Sequence, residues 1–462
     1  MPDFDLVVVG TGAGGLTAAA EAKKRGLSVA LVEKDRPGGD CSYYGCVPTK
    51  TLIHSAKVLH TIRRADEYGL PKIDVEPDFA EVMKHKNHVV DEITAKGSFE
   101  PWRKAGFEVF QGEGKFTSPH EVAVNGTTVR GDKLVVAVGT EPAIPLITGL
   151  SEVGYITNVE AVALKKLPKR LAVLGAGPMG MEFAQILERF GSQVTVVEMV
   201  DEVLPHEDPE VAARLRGYLE EEGITIHTGA MVKRVERAGE TKVLIVDGRD
   251  GEFRVEADEI LVASGRRPQT TNLGLENAGV ETEERGWVRI DETLRTTADN
   301  IWAAGDVTGK FLLTHIADYH GRIVAHNLFA ENGTALKTDH RIVPWATFTD
   351  PELARVGMTE EEARAKGIEV RTAKMDISDV ERSQMMLEEK GMIKVVADSD
   401  KRILGATILG AHADDLIHEL AIAIKAGMRT NDILEMIHAF PTLSEAVRWS
   451  MSGFEDEGSA GV

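Results

Sequence analysis

A glycine-rich loop between two apolar segments constrains the start of this chain more than any other feature. The apolar run 6–9 precedes Gly10, Gly12 and Gly15, which have the spacing Gly-x-Gly-x-x-Gly. In this spacing the first glycine makes a tight turn, the second lets the backbone approach a pyrophosphate, and the third packs a helix against a strand. Glu33 lies eighteen residues after Gly15, where it can accept a hydrogen bond from a ribose hydroxyl. The segment predicts a strand–helix–strand unit that binds a dinucleotide at the helix N-terminus.

The same pattern occurs a second time in the chain. Gly175, Gly177 and Gly180 follow the apolar run 171–174, and Glu198 again lies eighteen residues after the third glycine. One glycine fingerprint is weak evidence of function. Two copies, each with flanking strands, a helix and a correctly spaced acid, predict two dinucleotide sites.

Glu198 favours NAD(H) over NADP(H) at the second site. Its carboxylate would accept a hydrogen bond from a free ribose 2′-hydroxyl and would repel a 2′-phosphate. No Arg or Lys lies between Met199 and Pro205 to bind such a phosphate. The alternative is that Glu198 is an ordinary solvated acid at the end of a strand.

Length and composition indicate a globular protein with several domains. The chain has 462 residues, enough for about three domains, and 43% of them are hydrophobic. The most apolar segment, residues 134–150, is interrupted by Glu141, Pro142 and Pro145, which argues against a membrane span. A formal net charge of −21 disfavours nucleic acid as a partner. The acidic residues 1–5 do not resemble a signal peptide, so we expect a cytoplasmic protein.

The chain contains two cysteines, Cys41 and Cys46. A secreted disulfide scaffold would need many more, so a reducing cytosolic setting fits better. No histidine lies between Gly38 and Lys50 to complete a tetrahedral zinc site, and we expect no bound metal. The pair therefore points to redox chemistry.

Several segments together resemble one known family. Besides the two glycine fingerprints, they are residues 38–50, 135–140, 262–266, 301–306 and 438–445. They resemble the pyridine nucleotide-disulfide oxidoreductase family, which includes dihydrolipoamide dehydrogenase, glutathione reductase and mercuric reductase. The resemblance covers essentially the whole chain. It implies an α/β fold with two Rossmann-like dinucleotide-binding domains and a C-terminal α/β interface domain.

The resemblance also implies domain boundaries and an assembly. The implied regions are 1–145 for the first part of the FAD-binding domain with the redox disulfide, 146–271 for the NAD-binding domain, 272–343 for the central FAD-binding region and 344–462 for the dimerisation domain. We expect a homodimer, because the loop at position 440 reaches the partner's disulfide in this family. The acidic tail after Phe454 is expected to be mobile.

Roles for four catalytic residues follow from the resemblance, position by position. Cys41 and Cys46 would form the redox disulfide, with Cys46 beside the flavin and Cys41 as the outer thiol that exchanges with substrate. Lys50 would lie near the flavin N5 and pair with Glu182. Electrons would pass from NADH to FAD and then to the disulfide.

The resemblance assigns five further residues to the cofactors FAD and NAD(H). Asp306 would bond the ribityl chain of FAD. Thr314 would begin a helix whose N-terminus favours negative charge on the reduced flavin. The other implied cofactor-binding residues are Gly114, Val232 and Gly265.

Some positions depart from the family and affect the expected substrate. Position 440 is Phe where the dihydrolipoamide and glutathione enzymes have an acid–base histidine, although Glu445 of the usual pair remains. His438 either replaces that histidine or is an ordinary interface residue. Asp40 replaces a common threonine.

The residues between the cysteines also differ. Ser42, Tyr43 and Tyr44 stand where dihydrolipoamide dehydrogenases usually have an aliphatic residue, Asn and Val. The tyrosines either pack against the flavin domain or reshape the disulfide neighbourhood for another acceptor.

The expected function is that of an FAD-dependent NAD(P)H oxidoreductase, with NADH favoured. Electrons would pass through Cys41 and Cys46 to a small disulfide or dithiol substrate, as in dihydrolipoamide dehydrogenase. One alternative is reduction of a metal ion or a quinone; mercuric reductase-like proteins also lack the histidine, but they carry a C-terminal cysteine pair. Another alternative is a slow electron-transfer or lipoyl-protein-binding subunit of a larger assembly.

Overall fold

The structure is a computed structural model that describes residues 3–330 and 334–455. The part of the expected mobile tail after residue 455 lies outside the described residues. The strands are β1 Phe4–Val9, β2 Val29–Glu33, β3 Glu108–Gln111, β4 Gly114–Ser118, β5 Glu121–Val124, β6 Thr127–Val136, β7 Thr140–Pro142, β8 Arg170–Leu174, β9 Gln193–Val197, β10 Thr225–His227, β11 Met231–Ala238, β12 Thr241–Gly248, β13 Gly251–Ala257, β14 Glu259–Val262, β15 Arg266–Pro268, β16 Ile301–Ala303, β17 Trp345–Thr347, β18 Glu352–Gly357, β19 Val370–Asp376, β20 Met392–Asp398 and β21 Ile403–Gly410. The α-helices are α1 Ala13–Lys24, α2 Gly39–Tyr43, α3 Cys46–Arg63, α4 Phe79–Ile93, α5 Glu100–Lys104, α6 Leu150–Val153, α7 Asn158–Ala161, α8 Pro178–Phe190, α9 Pro209–Glu221, α10 Thr314–Asn327, α11 Glu360–Ala365, α12 Glu381–Met386, α13 Ala413–Ala426, α14 Thr430–Leu434 and α15 Ser444–Ser450.

The chain divides into two compact units, each built from three segments. Unit 1 contains Met1–Thr51, Ala80–Ile144 and Gly265–Asp339, and unit 2 contains Leu52–Phe79, Pro145–Ser264 and His340–Val462.

Unit 1 is built around β1, which lies in the middle of a sheet of order β3-β2-β1-β6-β5-β4. β1 pairs in parallel with β2 and β6, whereas β5 pairs antiparallel with β4 and β6. β16 also pairs in parallel with β6. Residues 6–9 are buried, as expected for a parallel strand that is covered on both faces.

Helix α1 follows β1 after the glycine loop, and its alanine-rich sequence favours helix formation. It ends at Lys24, and Gly26 beyond it has a φ of +84°, a left-handed conformation that glycine adopts without strain. The order β1–α1–β2 is the unit that the first fingerprint predicts.

Unit 2 repeats this arrangement and adds antiparallel sheets. The parallel sheet has the order β10-β9-β8-β14, and α8 follows β8. Strands β11-β12-β13 form a three-stranded antiparallel sheet. Strands β17-β18-β21-β20-β19 form a five-stranded antiparallel sheet, and an apolar core joins it to α13 and α15. The expected fold class, two Rossmann-like folds and a C-terminal α/β region, is confirmed.

Within the described residues, none of the helices has both the length and the apolar character that crossing a membrane requires.

Candidate functional site

The first glycine loop has the close packing that its sequence predicts. A Cβ added to Gly10 would lie 2.3 Å from the carbonyl oxygen of Ala137, and one added to Gly15 would lie 2.1 Å from the carbonyl oxygen of Gly10. By contrast, a Cβ on Gly12 would meet no atom within 4 Å. The loop is therefore closed against the sheet at its first and third glycines and open at the second, where the backbone can approach a phosphate.

The second glycine loop in unit 2 has the same geometry. A Cβ on Gly175 would lie 2.5 Å from the carbonyl oxygen of Ala263, and one on Gly180 would lie 2.1 Å from the carbonyl oxygen of Gly175. Nothing lies within 4 Å of a Cβ added to Gly177. Each unit therefore contains one loop shaped for a pyrophosphate at the N-terminus of a helix.

The two fingerprint acids bind their own glycine loops. Oε2 of Glu33 accepts hydrogen bonds from the backbone nitrogen and the hydroxyl of Thr11, at 2.8 and 2.7 Å. In the second fold, Oε2 of Glu198 accepts a hydrogen bond from the backbone nitrogen of Ala176 at 2.7 Å. Each carboxylate retains acceptor capacity for a ribose hydroxyl, because an ionised carboxylate has about four lone-pair sites.

The two cysteines lie at the edge of the first fold. Cys41 is on the short helix α2 and is half-buried, while Cys46 is the first residue of α3 and is exposed. The two side chains lie within hydrogen-bond distance of each other. The Cys46 side chain is hydrogen-bonded to Cys41, and this contact, with burial second, raises the pKa of the Cys41 thiol.

Thr314, the first residue of α10, contacts both cysteine side chains. Its Oγ1 lies 3.5 Å from the Sγ of Cys46, and it also hydrogen-bonds the Cys41 side chain. The family resemblance implies that the N-terminus of this helix approaches the flavin, and the structure brings Thr314 at that helix end to the two thiols. A helix N-terminus and a hydroxyl both stabilise negative charge on a nearby sulfur.

The tyrosines between the cysteines contact the residues that precede α2. Tyr43 is 6% exposed, and its hydroxyl donates a hydrogen bond to the carbonyl of Pro37 at 2.9 Å. The guanidinium of Arg36 lies 4.0 Å from the centroid of the Tyr43 ring and donates a 2.6 Å hydrogen bond to the hydroxyl of Tyr44. These contacts favour packing over a direct role at the sulfurs.

Asp306 lies in a chain of polar contacts in unit 1. Its Oδ2 accepts a hydrogen bond from Oγ1 of Thr140 at 3.1 Å, and that hydroxyl accepts one from Nε of Arg266 at 2.7 Å. Burial raises the pKa of Asp306, while Arg266 opposes the shift. Thr140 and Arg266 belong to segments that carry the family resemblance, but the sequence alone assigned them no role.

His320 is a second site residue that sequence reasoning missed. It is fully buried on α10, and its Nδ1 accepts a hydrogen bond from the backbone nitrogen of Gly305 at 3.2 Å. Gly305 has a φ of +77° and directly precedes Asp306, so His320 helps to fix the turn that presents this carboxylate. A histidine in a helix carries no sequence signal for such a contact.

The remaining predicted site residues lie in different parts of the two units. Lys50 lies on α3 in unit 1, and Glu182 lies on α8 in unit 2, where its Oε1 accepts a 3.0 Å hydrogen bond from the backbone nitrogen of Phe348. The paired role of Lys50 and Glu182 stays a prediction.

Three cofactor positions were assigned by resemblance alone. Gly114 begins β4, and a Cβ there would lie 2.9 Å from Cγ1 of Val32, so this glycine lies beside β2 in the first fold. Val232 lies on β11 in unit 2. Gly265 has a φ of +120° and opens the last segment of unit 1. Their roles also stay predictions.

Position 440 and its neighbours lie near the C-terminus of unit 2. Phe440 is 67% exposed, whereas Nε2 of His438 lies 2.9 Å from Oε1 of Glu419 and its Nδ1 lies 3.3 Å from the carbonyl oxygen of Met436. Glu445 is buried, and its Oε2 accepts a 3.4 Å hydrogen bond from the backbone nitrogen of Thr442. His438 is therefore held by contacts within its own chain.

The fold and the site define an α/β protein with two dinucleotide-binding folds and a cysteine pair beside the first. Residues 4–321 match the family model described as pyridine nucleotide-disulphide oxidoreductase, and residues 343–451 match the dimerisation domain of the same family. The chain belongs to the pyridine nucleotide-disulphide oxidoreductase family. The expected family is thus confirmed.

Individual relatives differ in function. The chain is 35% identical over 456 residues to a mercuric reductase from Bacillus cereus, covering 98% of this chain and 72% of that protein. It is 37% identical over 451 residues to a dihydrolipoyl dehydrogenase from Thermus scotoductus, covering 97% and 96%. The solved Cu(II) complex of the HOCl-induced flavoprotein disulfide reductase RclA from Escherichia coli has a TM-score of 0.89 at 31% identity, with 98% of this chain and 100% of that chain covered.

Members of this family bind FAD and NAD(P)H, and the chain is a flavin-dependent pyridine nucleotide-disulfide oxidoreductase. The residues present fit both cofactors. The backbone at Gly12 and Gly177 is open where a pyrophosphate must approach, and the carboxylate that binds each glycine loop has acceptor capacity left for a ribose hydroxyl. The family's dimerisation domain is also present, which supports a dimeric assembly.

Proposed function

We propose that this chain is an NADH-preferring flavin disulfide reductase whose Cys41–Cys46 dithiol reduces a thiophilic metal ion. The observation that carries the proposal is Phe440, at the position where thiol-exchanging members of the family have an acid–base histidine. A phenyl ring can neither accept nor donate a proton. Exchange between a dithiol and a disulfide substrate requires such transfers, whereas a metal ion displaces the thiol proton directly when it binds.

His438 is poorly suited to replace the missing histidine. One ring nitrogen contacts the Glu419 carboxylate and the other faces the carbonyl of Met436. The side chain is 5% exposed. A catalytic base must reach the proton that it removes, so a histidine with both nitrogens engaged and little exposure does not fit this role.

The relatives support a metal acceptor without identifying the ion. Mercuric reductase is the name of the relative from Bacillus cereus, and the RclA structure is described as a Cu(II) complex. Cys41 and Cys46 are the chain's only cysteines, so it lacks the C-terminal cysteine pair expected of a mercuric reductase. We therefore assign the acceptor to a chemical class, thiophilic ions such as Hg²⁺ and Cu²⁺.

The chain's own residues account for the thiol side of the reaction. FAD, when bound, takes up hydride from NADH and supplies two electrons to the disulfide. Cys41 keeps its proton because its pKa is raised by the Cys46 contact, and metal binding releases that proton. The Thr314 hydroxyl can donate a hydrogen bond to the Cys46 sulfur. In the net step the dithiol loses two electrons, releases two protons to solvent and forms the S–S bond, while one Hg²⁺ becomes Hg⁰ or two Cu²⁺ become two Cu⁺.

A second candidate is dihydrolipoamide dehydrogenase activity. It is favoured by the 37% identity to the dihydrolipoyl dehydrogenase from Thermus scotoductus, which extends over nearly the whole of both chains. In either case we propose a homodimer with NADH as the preferred nucleotide, since Glu198 is the acid expected to bind the ribose and its carboxylate contacts the second glycine loop.

The test is NADH oxidation by the purified FAD-loaded protein with a panel of acceptors. Hg²⁺ would be supplied with excess small thiol and Cu²⁺ as a thiol-free chelate, because a thiol reduces Cu²⁺ by itself. Lipoamide, glutathione disulfide and a soluble quinone complete the panel. We expect turnover with one metal ion to exceed that with either disulfide by at least about tenfold. The variant with both Cys41→Ser and Cys46→Ser should lose metal turnover, and reactions without protein measure the background. Lipoamide turnover faster than that with both metals would reject the proposal.

A further inference from the structure

An ion pair joins the residue before the cysteine loop to Arg266, the first residue of β15. Oδ2 of Asp40 lies 3.2 Å from Nη2 of Arg266, and the two side chains are 34% and 14% exposed. Asp40 directly precedes Cys41, and the chain has aspartate here where its family commonly has threonine. The negative charge at position 40 therefore distinguishes this chain from the common family pattern.

Arg266 is held on its other side by Thr140. Its Nε donates to Oγ1 of Thr140 at 2.7 Å, and its Nη2 donates to the carbonyl oxygen of the same residue at 3.1 Å. The Thr140 hydroxyl in turn donates to Oδ2 of Asp306 at 3.1 Å. The guanidinium thus donates to acceptors on Asp40 and Thr140, and Thr140 is held in turn by Asp306, so the position of Arg266 does not depend on Asp40 alone.

Asp40 directly precedes the loop between the two cysteines and contacts the far end of that loop. Its carbonyl oxygen accepts hydrogen bonds from the backbone nitrogens of Tyr44 and Gly45, both at 2.8 Å. A Cβ added to Gly45 would lie 3.3 Å from Oδ2 of Asp40, so the carboxylate lies against the residue that precedes Cys46. On the other side, a Cβ on Gly39 would lie 2.9 Å from Cα of Gly12, which places the loop against the open glycine of the first fingerprint.

We propose that Asp40 is a positioning residue that, through its ion pair with Arg266, sets the reduction potential of the Cys41–Cys46 disulfide. Reduction breaks the S–S bond and adds two electrons, so negative charge appears on any sulfur that does not take up a proton. The Arg266 cation stabilises that charge and the Asp40 carboxylate opposes it, because both lie beside the loop that holds the sulfurs. The proposal concerns the disulfide itself and is independent of the final acceptor.

Removing the two charges one at a time should shift the equilibrium between dithiol and disulfide in opposite directions. Asp40→Asn leaves the Arg266 cation unpaired and should favour the reduced pair. Arg266→Gln leaves the Asp40 carboxylate unpaired and should favour the disulfide. A double variant removes both charges and should return close to the wild-type value. If the ion pair had only a structural role, both single substitutions would shift the dithiol–disulfide equilibrium in the same direction, because each would loosen the same loop.

The experiment measures the dithiol-to-disulfide ratio of the FAD-loaded protein, without oxygen, across a series of reduced and oxidised dithiothreitol ratios. In each step one dithiothreitol gives two electrons and two protons to the disulfide and closes to its own cyclic disulfide. Because the chain has 2 cysteines, alkylation followed by mass measurement gives two added labels for the dithiol and none for the disulfide. NADH is absent, so the result does not depend on turnover.

We expect the midpoint ratio to change by about tenfold or more in each single variant, in opposite directions, which corresponds to about 30 mV for a two-electron couple. The matched control is Glu141→Gln, which breaks the neighbouring Arg267–Glu141 ion pair on the same strands and should change the midpoint less than twofold. Shifts of the two single variants in the same direction, or of less than twofold, would overturn the proposal. If Asp40→Asn does not retain FAD, Asp40→Thr provides the same charge removal with the family's common residue.

Discussion

Glu198 accepts a 2.7 Å hydrogen bond from the backbone nitrogen of Ala176, the residue after the first glycine of the second fingerprint. Glu33 has the same relationship to Thr11 in the first fold. In both folds the acid at the end of the second strand thus fixes the glycine loop of the first strand. In each fold one carboxylate thus shapes the phosphate site, and we expect the same carboxylate to bind the ribose.

The first prediction concerns nucleotide preference. Because the Glu198 carboxylate repels a 2′-phosphate, kcat/KM should favour NADH over NADPH by at least about tenfold, or about 1.4 kcal/mol. Glu198→Gln keeps an acceptor for the Ala176 nitrogen but removes the charge, and it should reduce the preference toward equality. Steady-state kinetics with both nucleotides measures this ratio. Equal efficiency in the wild-type protein would show that Glu198 does not face the ribose.

A second prediction distinguishes the two thiols. If Cys46 is the sulfur next to the flavin, two-electron reduction should produce long-wavelength absorbance from its thiolate beside oxidised FAD. Cys46→Ser should abolish that band. Cys41→Ser should show the band without any reductant, since it leaves Cys46 without a disulfide partner. Anaerobic titration followed by absorbance checks both variants, and wild-type spectra in both would contradict the assignment.

The third prediction concerns pH and stability in unit 2. Burial, with the neighbouring Asp414 carboxyl second, raises the pKa of Glu352 from 4.5 to about 8. Between these two values the folded protein holds a proton that the unfolded chain releases. This contribution to stability is therefore complete below the unfolded pKa and is lost as pH rises through the folded pKa.

Glu352→Gln mimics the protonated acid and should remove this loss. The difference in Tm between the variant and the wild-type protein should become more positive by about 2 °C or more from pH 5 to pH 8. Glu369→Gln removes a carboxylate from an exposed position and serves as the control, with no such trend expected. Thermal unfolding at the two pH values measures the difference, and a constant difference would refute the prediction.

The parts of the fold that the sequence predicts correctly are those with a short local pattern, such as a glycine fingerprint or an apolar run. Both glycine fingerprints fold as expected because a positive φ at Gly10 and Gly175, and the close packing of Gly15 and Gly180, can be satisfied only by glycine. The buried runs 6–9 and 171–174 form parallel strands, as their short, continuous apolar sequences predict.

The contacts that depend on distant segments could not be predicted in this way. Arg266 meets Asp40 across more than two hundred positions of the chain, and His320 meets Gly305 only when α10 packs against the rest of unit 1. Such pairings are set by tertiary packing, and a single sequence contains no signal for them. The Arg36 contact of the tyrosines is local in sequence, but it depends on the irregular turn before α2, which no periodic pattern predicts.

The last prediction concerns Phe440 and dihydrolipoamide. Oxidation of a dithiol requires the attacking thiol to lose a proton, and an unperturbed thiol with a pKa of about 8.5 is mostly protonated at neutral pH. A positioned base typically contributes about 10²–10⁴-fold, so dihydrolipoamide should be a poor substrate for the wild-type protein. Phe440→His, assayed with dihydrolipoamide and NAD⁺, should increase turnover at least about tenfold while hydride transfer from NADH to FAD stays unchanged. Phe440→Leu, which offers no base, should give no gain. Rapid dihydrolipoamide turnover by the wild-type protein would contradict this prediction and would show that another group supplies the base.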